Sequence, residues 1–158
     1  MPVSVNWTWA RYPHLRLDDL YDALALRAEV FVVEQNCVFQ DLDGADRASA
    51  HLLGRDAAGV LHACLRVVDP GVKFTEPSIG RVVSSAATRG TGLGHVLVAE
   101  GVSRCSAAWP GQPIRIGAQS RLESFYARHG FLRAGADYIE DGIPHCEMVR
   151  AAGIGRTA

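Results

Sequence analysis

Hydrophobic and polar positions alternate in two stretches of the chain, which predicts strands that each bury one face. The first stretch covers residues 3–10, where the hydrophobic side of the pattern is formed by Val3, Val5, Trp7 and Trp9. The second stretch covers residues 60–68 and follows a shorter strand at 51–54. Its apolar side is formed by Leu61, Ala63, Leu65 and Val67, and its other side by His62, Cys64 and Arg66. A turn between these two neighbouring strands predicts a hairpin.

A helical period predicts helices in three other stretches. The first helix begins at Asp18 and Asp19, which we expect to cap and charge its start, and it extends toward an unusually apolar end at 30–35. The second begins within a glycine-rich turn and ends before Trp109. The positions that we expect it to bury are Leu93, Val96, Leu97, Gly101 and Cys105.

The C-terminal third combines the remaining helix with short strands. A strand at 113–117 precedes the helix, whose start carries a capping box formed by Ser120 and Glu123. Gly130 fits the left-handed position that closes a helix. A strand within 131–139, a tight turn at 141–142 and a last strand at 145–149 follow. The order of elements predicts an α/β domain with a mixed sheet and helices on its faces.

Composition restricts the class of protein. With 158 residues, 48% of them hydrophobic and 21% charged, the chain suits one domain, which we place at 1–150 with a flexible tail at 151–158. A formal net charge of −1 offers no basic field for nucleic acid. No apolar run is long enough to span a membrane, and no signal peptide is evident. We therefore expect a cytoplasmic protein without a nucleic-acid or membrane partner.

Neither a metal site nor a disulfide framework is predicted. The four cysteines are far apart and form no Cys-x-x-Cys pair, which favours reduced thiols. Asp41, Asp43 and Asp46 surround Gly44, but the positions where an EF-hand needs glycine and glutamate hold other residues. We expect a solvated acidic loop there and no metal cofactor.

A glycine-rich turn follows the short apolar strand at 79–84. Its sequence is Arg89-Gly90-Thr91-Gly92-Leu93-Gly94, and a helix begins within it. The first N–H groups of a helix have no internal partner, so such a turn favours phosphate. A dinucleotide fingerprint fails because its last position is His95, and a Walker loop fails because the only lysine is Lys73. A glycine turn without a ligand stays an alternative on this stretch alone.

Two motifs in sequence order carry a family resemblance. The Arg-x-x-Gly-x-Gly turn resembles the acetyl-CoA pyrophosphate loop of the GNAT N-acetyltransferase superfamily. The segment from Phe125 to Phe131 is similar to the tyrosine-x-x-x-glycine-phenylalanine element near the end of GNAT domains. Three shorter segments, at 34–35, 117–119 and 141–145, resemble the ElaA-like branch more narrowly. The resemblance extends over residues 15–150.

This resemblance implies the acyl-CoA N-acyltransferase fold, in which a central mixed sheet splays around the cofactor with helices on both faces. It also implies acetyl transfer from acetyl-CoA directly to a primary amine. The backbone of the strand before the turn would bind the pantetheine arm, and the amides of the turn would hold the pyrophosphate. The implied cofactor-binding residues are Val82, Val83, Ser84, Arg89, Gly90, Thr91, Gly92, Leu93, Gly94 and Gln119. Gln119 stands where many members have asparagine, and Ser84 where an aliphatic residue is frequent.

The chemistry of amide formation assigns two further roles. Attack of an amine on a thioester builds negative charge on the carbonyl oxygen, and a backbone N–H at Val82 or Val83 is suited to stabilise it. The departing thiolate needs a proton donor, for which the phenol of Tyr126 is the candidate general acid. A half-buried aromatic that only packs the helix is the alternative for Tyr126.

The amine must lose a proton before it attacks, because an alkylamine titrates near 10.4. Glu34 and His145 are the candidate bases, with Asp41 and Asp43 next, and a structural role stays open for each. The same acidic stretch is expected to attract a cationic acceptor. The other histidines, for which we expect surface or packing roles, are His51, His62, His95 and His129.

Two other functions stay open at this point. One is a non-catalytic acyl-CoA-binding or regulatory module, against which the presence of Tyr126 argues. The other is a transferase for a longer acyl chain. The acceptor is expected to be a small-molecule or peptide amine, and the protein a monomer or a homodimer.

Overall fold

The computed structural model describes residues 3–153. Its main elements in chain order are β1 (Asn6–Arg11), α1 (Leu17–Arg27), a π-helical segment (Ala28–Glu34), β2 (Ser49–Arg55), β3 (Leu61–Val68), β4 (Ser78–Ser84), α2 (Leu93–Ala108), β5 (Ile114–Gln119), α3 (Glu123–Ala127), β6 (Leu132–Arg133), β7 (Tyr138–Glu140) and β8 (Ile143–Arg150). The tail expected at 151–158 reaches into 154–158, which lie outside the described residues. No helix in the described part of the chain is long and apolar enough to cross a membrane.

The strands form two antiparallel sheets that meet at one point. The first sheet has the order β1-β2-β3-β4, and the second has the order β5-β8-β6, with β7 also pairing with β8. The amide of Arg115, at the start of β5, donates to the carbonyl of Pro77, just before β4, at 3.1 Å. Beyond this contact β4 and β5 belong to different sheets, so a gap opens between them.

Helices cover both faces of the first sheet. The alternation predicted for β3 is confirmed from Ala63 onward, since Leu65 and Val67 pack toward α2 while Cys64 packs toward α1. Leu61 was predicted on the α2 side but packs on the α1 side, beside the register shift that pairs it with Arg55. At Gly101 of α2 an added Cβ would lie 2.7 Å from Leu65, so the close approach of helix and strand requires glycine there. Val96 was predicted to be buried, but it is 45% exposed. The core face of α2 therefore turns away from that position.

The predicted side-chain caps of two helices are absent. The residue that caps α1 is Arg16, without a side-chain hydrogen bond, and Asp19 instead binds Arg55 with an Nη2–Oδ1 distance of 2.7 Å. At α3, the Ser120 hydroxyl donates to Asp137 and accepts no helix amide, and the Glu123 amide donates to the Ser120 carbonyl instead. At both helices, a hydrogen bond to a side chain distant in the sequence takes the place of the predicted local cap.

The C-terminal strands differ in one respect from the prediction. The strand expected within 131–139 is divided into β6 and β7, which pair separately with β8. Two predicted turn positions are confirmed: Gly130 has a φ of +88°, and Asp141 and Gly142 have φ values of +50° and +75° between β7 and β8. All four cysteines are free thiols, as expected.

The loop at 41–46 is not the solvated acidic loop that we predicted. Arg27 binds Asp41 through Nε at 2.8 Å and Asp46 through Nη1 at 2.7 Å. Arg66 binds Asp43 through Nη2 at 2.7 Å and Asp46 through Nη1 at 3.1 Å. Both guanidinium groups belong to residues that are only 2% exposed. The aspartates therefore act as counter-ions for buried arginines.

These pairs keep the carboxylates of Asp43 and Asp46 ionised. Hydrogen bonds from Arg66 hold the pKa of Asp43 far below its usual range. Burial alone would raise the pKa of Asp46, but Arg27 and Arg66 lower it on balance. A carboxylate with a lowered pKa stabilises the fold above its unfolded pKa near 3.9, and this contribution is lost as the pH falls through the folded pKa.

We expect Arg27→Met to lower the free energy of unfolding by about 3–5 kcal/mol, because it leaves buried carboxylates without their counter-ion. The control is Arg11→Met, which breaks the partly exposed pair with Asp69 and should cost less than about 1 kcal/mol. Urea unfolding of both variants measures the difference. The gap between wild type and Arg27→Met should narrow below pH 4, and equal losses in the two variants would contradict a structural role for the network.

Candidate active site

A cleft of about 510 Å³ lies between the diverging strands β4 and β5. Its walls are β4, the end of β5, the π-helical segment with the residues after it, and the start of β8. In the π-helical segment, amides bond to carbonyls five residues back, as from Gln35 to Val30 and from Cys37 to Val32. π-Helices are rare in proteins, and those that occur are often found at functional sites. The volume lies in the range of small-molecule sites.

A bulge in β4 separates its outer edge from β5. Gly80 pairs with Arg66 and Val83 pairs with Cys64, so two residues of β4 oppose the single residue between them on β3. One of the two, Arg81, has a φ of +50°. A bulge bends its strand and ends regular pairing. On the side away from β3, the backbone of residues 82–84 therefore borders the cleft instead of a second strand.

The side chain of Arg81 holds this bulge against the loop that forms the opposite wall. Its Nη2 donates to the carbonyl of Asp41 at 2.8 Å, and its Nε lies 2.7 Å from the Asp41 carboxylate, outside hydrogen-bond alignment. The guanidinium also lies 6.0 Å from the centre of the Phe39 ring. The buried charges are thus connected directly to the cleft.

The glycine turn leaves four amides without a backbone acceptor. Gly90 and Gly92 have φ values of +77° and +86°, a region that favours glycine. The amides of Arg89 and Thr91 donate to carbonyls within the preceding turn. The amides that donate to no carbonyl of the described backbone are those of Gly90, Gly92, Leu93 and Gly94. Together with the positive end of α2, they form a surface suited to an anion.

Glu34 and Arg89 form an ion pair across the mouth of the cleft. The shorter of their two hydrogen bonds joins Nη1 to Oε1, and the other joins Nη2 to Oε2 at 2.7 Å. The hydrogen bonds from Arg89 lower the pKa of Glu34, which makes it a weaker base. Both side chains are more than 40% exposed, and an exposed pair contributes little to stability. Arg89 is therefore free to exchange Glu34 for another anion.

Tyr126 places a phenol in the cleft wall. The residue is 8% exposed, and its ring packs edge-on against Phe125 and Phe131 at centroid distances of 5.1 and 6.1 Å. Its hydroxyl has no hydrogen-bond partner among the described residues. Burial raises the pKa of Tyr126 to about 12. The phenol is therefore protonated at neutral pH and available as a donor.

His145 lies across the cleft in β8, where it pairs with Gln119 of β5. Its Nδ1–H donates to the carbonyl of Ile143 at 2.7 Å, and its ring stacks on Tyr138 at 5.9 Å. This bond leaves the lone pair on Nε2, which lies 3.6 Å from a carboxylate oxygen of Glu140. The imidazole is thus oriented to accept a proton through Nε2.

The structure brings most of the predicted site residues together. The predicted residues that line the cleft are Glu34, Val82, Val83, Ser84, Arg89, Gln119, Tyr126 and His145. Asp41 and Asp43, which we considered as further bases, do not line it. Their carboxylates face buried arginines, and the lowered pKa of Asp43 makes it unable to accept a proton near neutral pH.

Sequence analysis missed two polar groups beside Gln119. Its amide nitrogen donates to Gln35 at 3.4 Å, and its amide oxygen accepts from Nε of Arg121 at 3.0 Å. Gln35 lies 84 positions away in the chain, so no local pattern links them. Among residues 3–153, no three histidine, cysteine or carboxylate side chains converge on a point suited to a metal ion.

A splayed sheet, a helix that starts at a glycine turn and a cleft between the parted strands define an acyl-CoA N-acyltransferase fold. Comparison with known proteins agrees, since a family profile described as an acetyltransferase (GNAT) domain matches residues 50–152. The chain belongs to the GNAT acetyltransferase family, and the predicted family and fold class are confirmed.

The similar proteins include members of one branch of this family. A UPF0039 protein of Synechocystis is 40% identical over 93% of this chain and 96% of its own length. An acyl-CoA N-acyltransferase from Pseudomonas aeruginosa has a crystal structure with a TM-score of 0.89 and 43% identity, covering 94% of this chain and all of that one. Escherichia coli ElaA gives a TM-score of 0.86 with 38% identity, over 93% of this chain and 99% of that one.

We expect acetyl-CoA to raise the melting temperature of the wild type, and Gly92→Val to abolish that rise, because a β-branched residue at a φ of +86° distorts the amides of the turn. Gly111→Val is the matched control. Gly111 has a φ of +77°, lies beyond the other end of α2 and has open space around its Cα. It therefore carries the same backbone strain at a distance from the turn. An equal ligand-induced shift in both variants would contradict phosphate binding at the turn.

Proposed function

We propose that this protein transfers an acetyl group from acetyl-CoA directly to a primary amine. The observation that carries the proposal is the hydroxyl of Tyr126, which has no hydrogen-bond partner among the described residues and belongs to a residue lining the cleft that the unpaired edge of β4 also borders. An extended ligand with amide groups can pair with that edge as an added strand would. A phenol beside it is then in place for a leaving group.

The cofactor would use the last residues of β4 and the glycine turn that follows them. The pantetheine arm would bond to the backbone of Val82, Val83 and Ser84, and the pyrophosphate would accept from the four free amides of the glycine turn. Arg89 would leave its solvent-exposed pair with Glu34 and form charge-assisted hydrogen bonds to the phosphates. Gln119 lines the cleft opposite β4 and offers an amide to the arm.

The reaction then needs one stabilised charge and two proton transfers. The amine nitrogen attacks the thioester carbon, and the negative charge that develops on oxygen is stabilised by a backbone N–H of Val82 or Val83. The carbon–sulfur bond breaks, and the thiolate takes the proton of Tyr126. The proton released by the amine goes to a base, and Tyr126 regains its proton through solvent.

As the base, His145 is better supported by the geometry than Glu34. Its Nε2 lone pair is available because Nδ1 holds the proton, and its residue is 9% exposed in the cleft wall. Glu34 is engaged by Arg89 and has a lowered pKa, so its conjugate acid forms only at low pH. The amine proton would therefore pass to Nε2 of His145 and then to water.

We expect Tyr126→Phe to lower kcat by roughly 10²-fold, in the usual range for a general acid, with acetyl-CoA affinity little changed. The phenyl ring keeps the packing against Phe125 and Phe131, so the fold should be preserved. Tyr21→Phe is the control, since Tyr21 is 75% exposed on α1. Release of free thiol from a series of acyl-CoA thioesters, with a panel of amines, measures turnover and acyl-chain preference.

The outcome of that assay separates an enzyme from a binding module. A wild-type protein that binds acetyl-CoA but releases thiol with no amine above the uncatalysed rate would be a non-catalytic acyl-CoA-binding module. Wild-type turnover in Tyr126→Phe, measured where chemistry limits the rate, would contradict the acid assignment alone.

We expect His145→Gln to lower kcat/KM most at low pH. Without a base the reaction depends on the neutral fraction of the amine, which grows as the pH rises toward about 10.4, so the deficit should shrink with pH. Glu34→Gln replaces the other candidate base, at the cleft mouth, with the same uncharged amide. It should lower kcat less than His145→Gln does. Parallel pH profiles for wild type and His145→Gln would show that the base lies elsewhere.

A further inference from the structure

A group of basic side chains lies immediately beyond the glycine turn. Nδ1 of His95 lies 2.9 Å from Nε2 of His129, and Nη1 of Arg128 lies 3.2 Å from Nε2 of His95. Nε of Arg150 donates to the carbonyl of His129 at 2.9 Å. The ring of His95 stacks on Phe125 at 4.4 Å, which fixes its orientation. We call these four residues, His95, Arg128, His129 and Arg150, the basic cluster.

The basic cluster has no counter-charge among the described residues. Within residues 3–153, no carboxylate lies within 4.0 Å of any of its members, whereas nine other arginines of the chain pair with one. Burial and then the positive charges of the neighbours lower the pKa of His129, and burial and Arg128 lower the pKa of His95. Positive charge beside an imidazole disfavours its protonation unless an anion joins the group.

The hydrogen bonds fix where the protons are. Arg128 has only donors, so Nε2 of His95 accepts and the proton of His95 is on Nδ1. That proton is donated to Nε2 of His129, so both imidazoles are neutral in this arrangement. An anion at the cluster would attract the guanidinium of Arg128 and favour protonation of the imidazoles. Each group would then become a donor to it.

The position of the cluster relates it to the turn. His95 directly follows Gly94, whose amide is one of the four that face outward, and an added Cβ at Gly94 would meet the Phe125 ring on which His95 stacks. The sites for two anions would thus be adjacent. In coenzyme A a pyrophosphate and a phosphate monoester are attached to the same ribose ring.

We propose that the basic cluster binds the ribose 3′-phosphate of coenzyme A and so selects coenzyme A over its dephospho form. This rests on the proposed function only in taking the ligand to be an acyl-CoA. The pyrophosphate occupies the amides of the turn, and the monoester dianion accepts from Arg128 and from protonated His95 and His129. Arg150, which already holds the backbone of His129, adds positive charge behind them.

The pH dependence of this selection follows from the groups that face the phosphate. The second pKa of a phosphate monoester is near 6, so the dianion is present at neutral pH. A bound dianion raises the histidine pKa values, so binding takes up protons and weakens as the pH rises. The preference for coenzyme A should therefore be larger at pH 7 than at pH 8.5, with Arg128 and Arg150 supplying the part that does not titrate.

Titration calorimetry with coenzyme A and dephospho-coenzyme A tests the proposal. We expect wild type to bind coenzyme A at least about tenfold more tightly, and Arg128→Gln to lose most of that factor while its affinity for dephospho-coenzyme A stays unchanged. Arg47→Gln is the matched control, because Arg47 is exposed and has no carboxylate within 4.0 Å among the described residues. His95→Gln should flatten the change in preference between pH 7 and pH 8.5.

The outcomes separate this inference from the proposed function. Equal affinity of wild type for the two ligands would overturn the inference even if acetyl transfer is observed. A preference that depends on Arg128 would support it even if no amine is acetylated. If neither ligand binds, both proposals are wrong. If inorganic phosphate shifts the imidazole NMR signals of His95 and His129 but the two cofactors bind equally, the cluster is a site for free phosphate, and the assignment to the ribose is overturned.

Discussion

The bulge of β4 at Arg81 is the constraint on which the cleft depends. A non-glycine residue at a φ of +50° costs about 1–3 kcal/mol and persists only where surrounding contacts hold it. Here the contacts are the bond from Arg81 to the Asp41 carbonyl and the approach to the Phe39 ring. Because the bulge bends β4, the backbone beyond it stays paired with β3 but has no partner strand on the side that faces β5. An open edge in the middle of a protein is then available to a ligand.

The arginine–aspartate network beneath the bulge determines what kind of wall faces this edge. Three arginines (Arg27, Arg66 and Arg81) and Lys73 meet three aspartates (Asp41, Asp43 and Asp46), so the carboxylates are fully compensated. The segment that looked like an attractor for cations therefore carries no excess negative charge. Its effect on an acceptor comes through shape, because it fixes the loop that carries Cys37 and Phe39 into the cleft.

What the sequence predicted correctly was local. The left-handed position at Gly130 and the glycine-rich turn at the start of α2 follow from glycine chemistry within a few residues, and so does the turn at Asp141. The motif around Tyr126 identified the family and the fold for the same reason. No partner from elsewhere in the chain is needed to read such signals.

What the sequence did not predict depends on partners that are distant along the chain. From the sequence, Asp46 is expected to be a solvated loop carboxylate. In the structure it binds Arg27 and Arg66, which are 19 and 20 positions away in the chain. His95 and His129 are 34 positions apart and meet only because α2 and α3 start and end beside each other. The capping box at Ser120 was overruled by Asp137, again a tertiary contact.

The proposed chemistry divides between the two sheets, so its geometry depends on the point where they join. The open edge of β4 belongs to the first sheet, whereas His145 belongs to the second and Tyr126 to the helix that follows β5. Arg115 joins them: its amide bonds to Pro77 before β4, and its guanidinium binds Glu76 at 3.2 Å and Glu147 of β8 at 2.9 Å. The two sheets diverge from this residue. The distance from a thioester bound at β4 to Tyr126 and His145, the groups that would donate and accept protons, therefore depends on how firmly Arg115 holds both sheets.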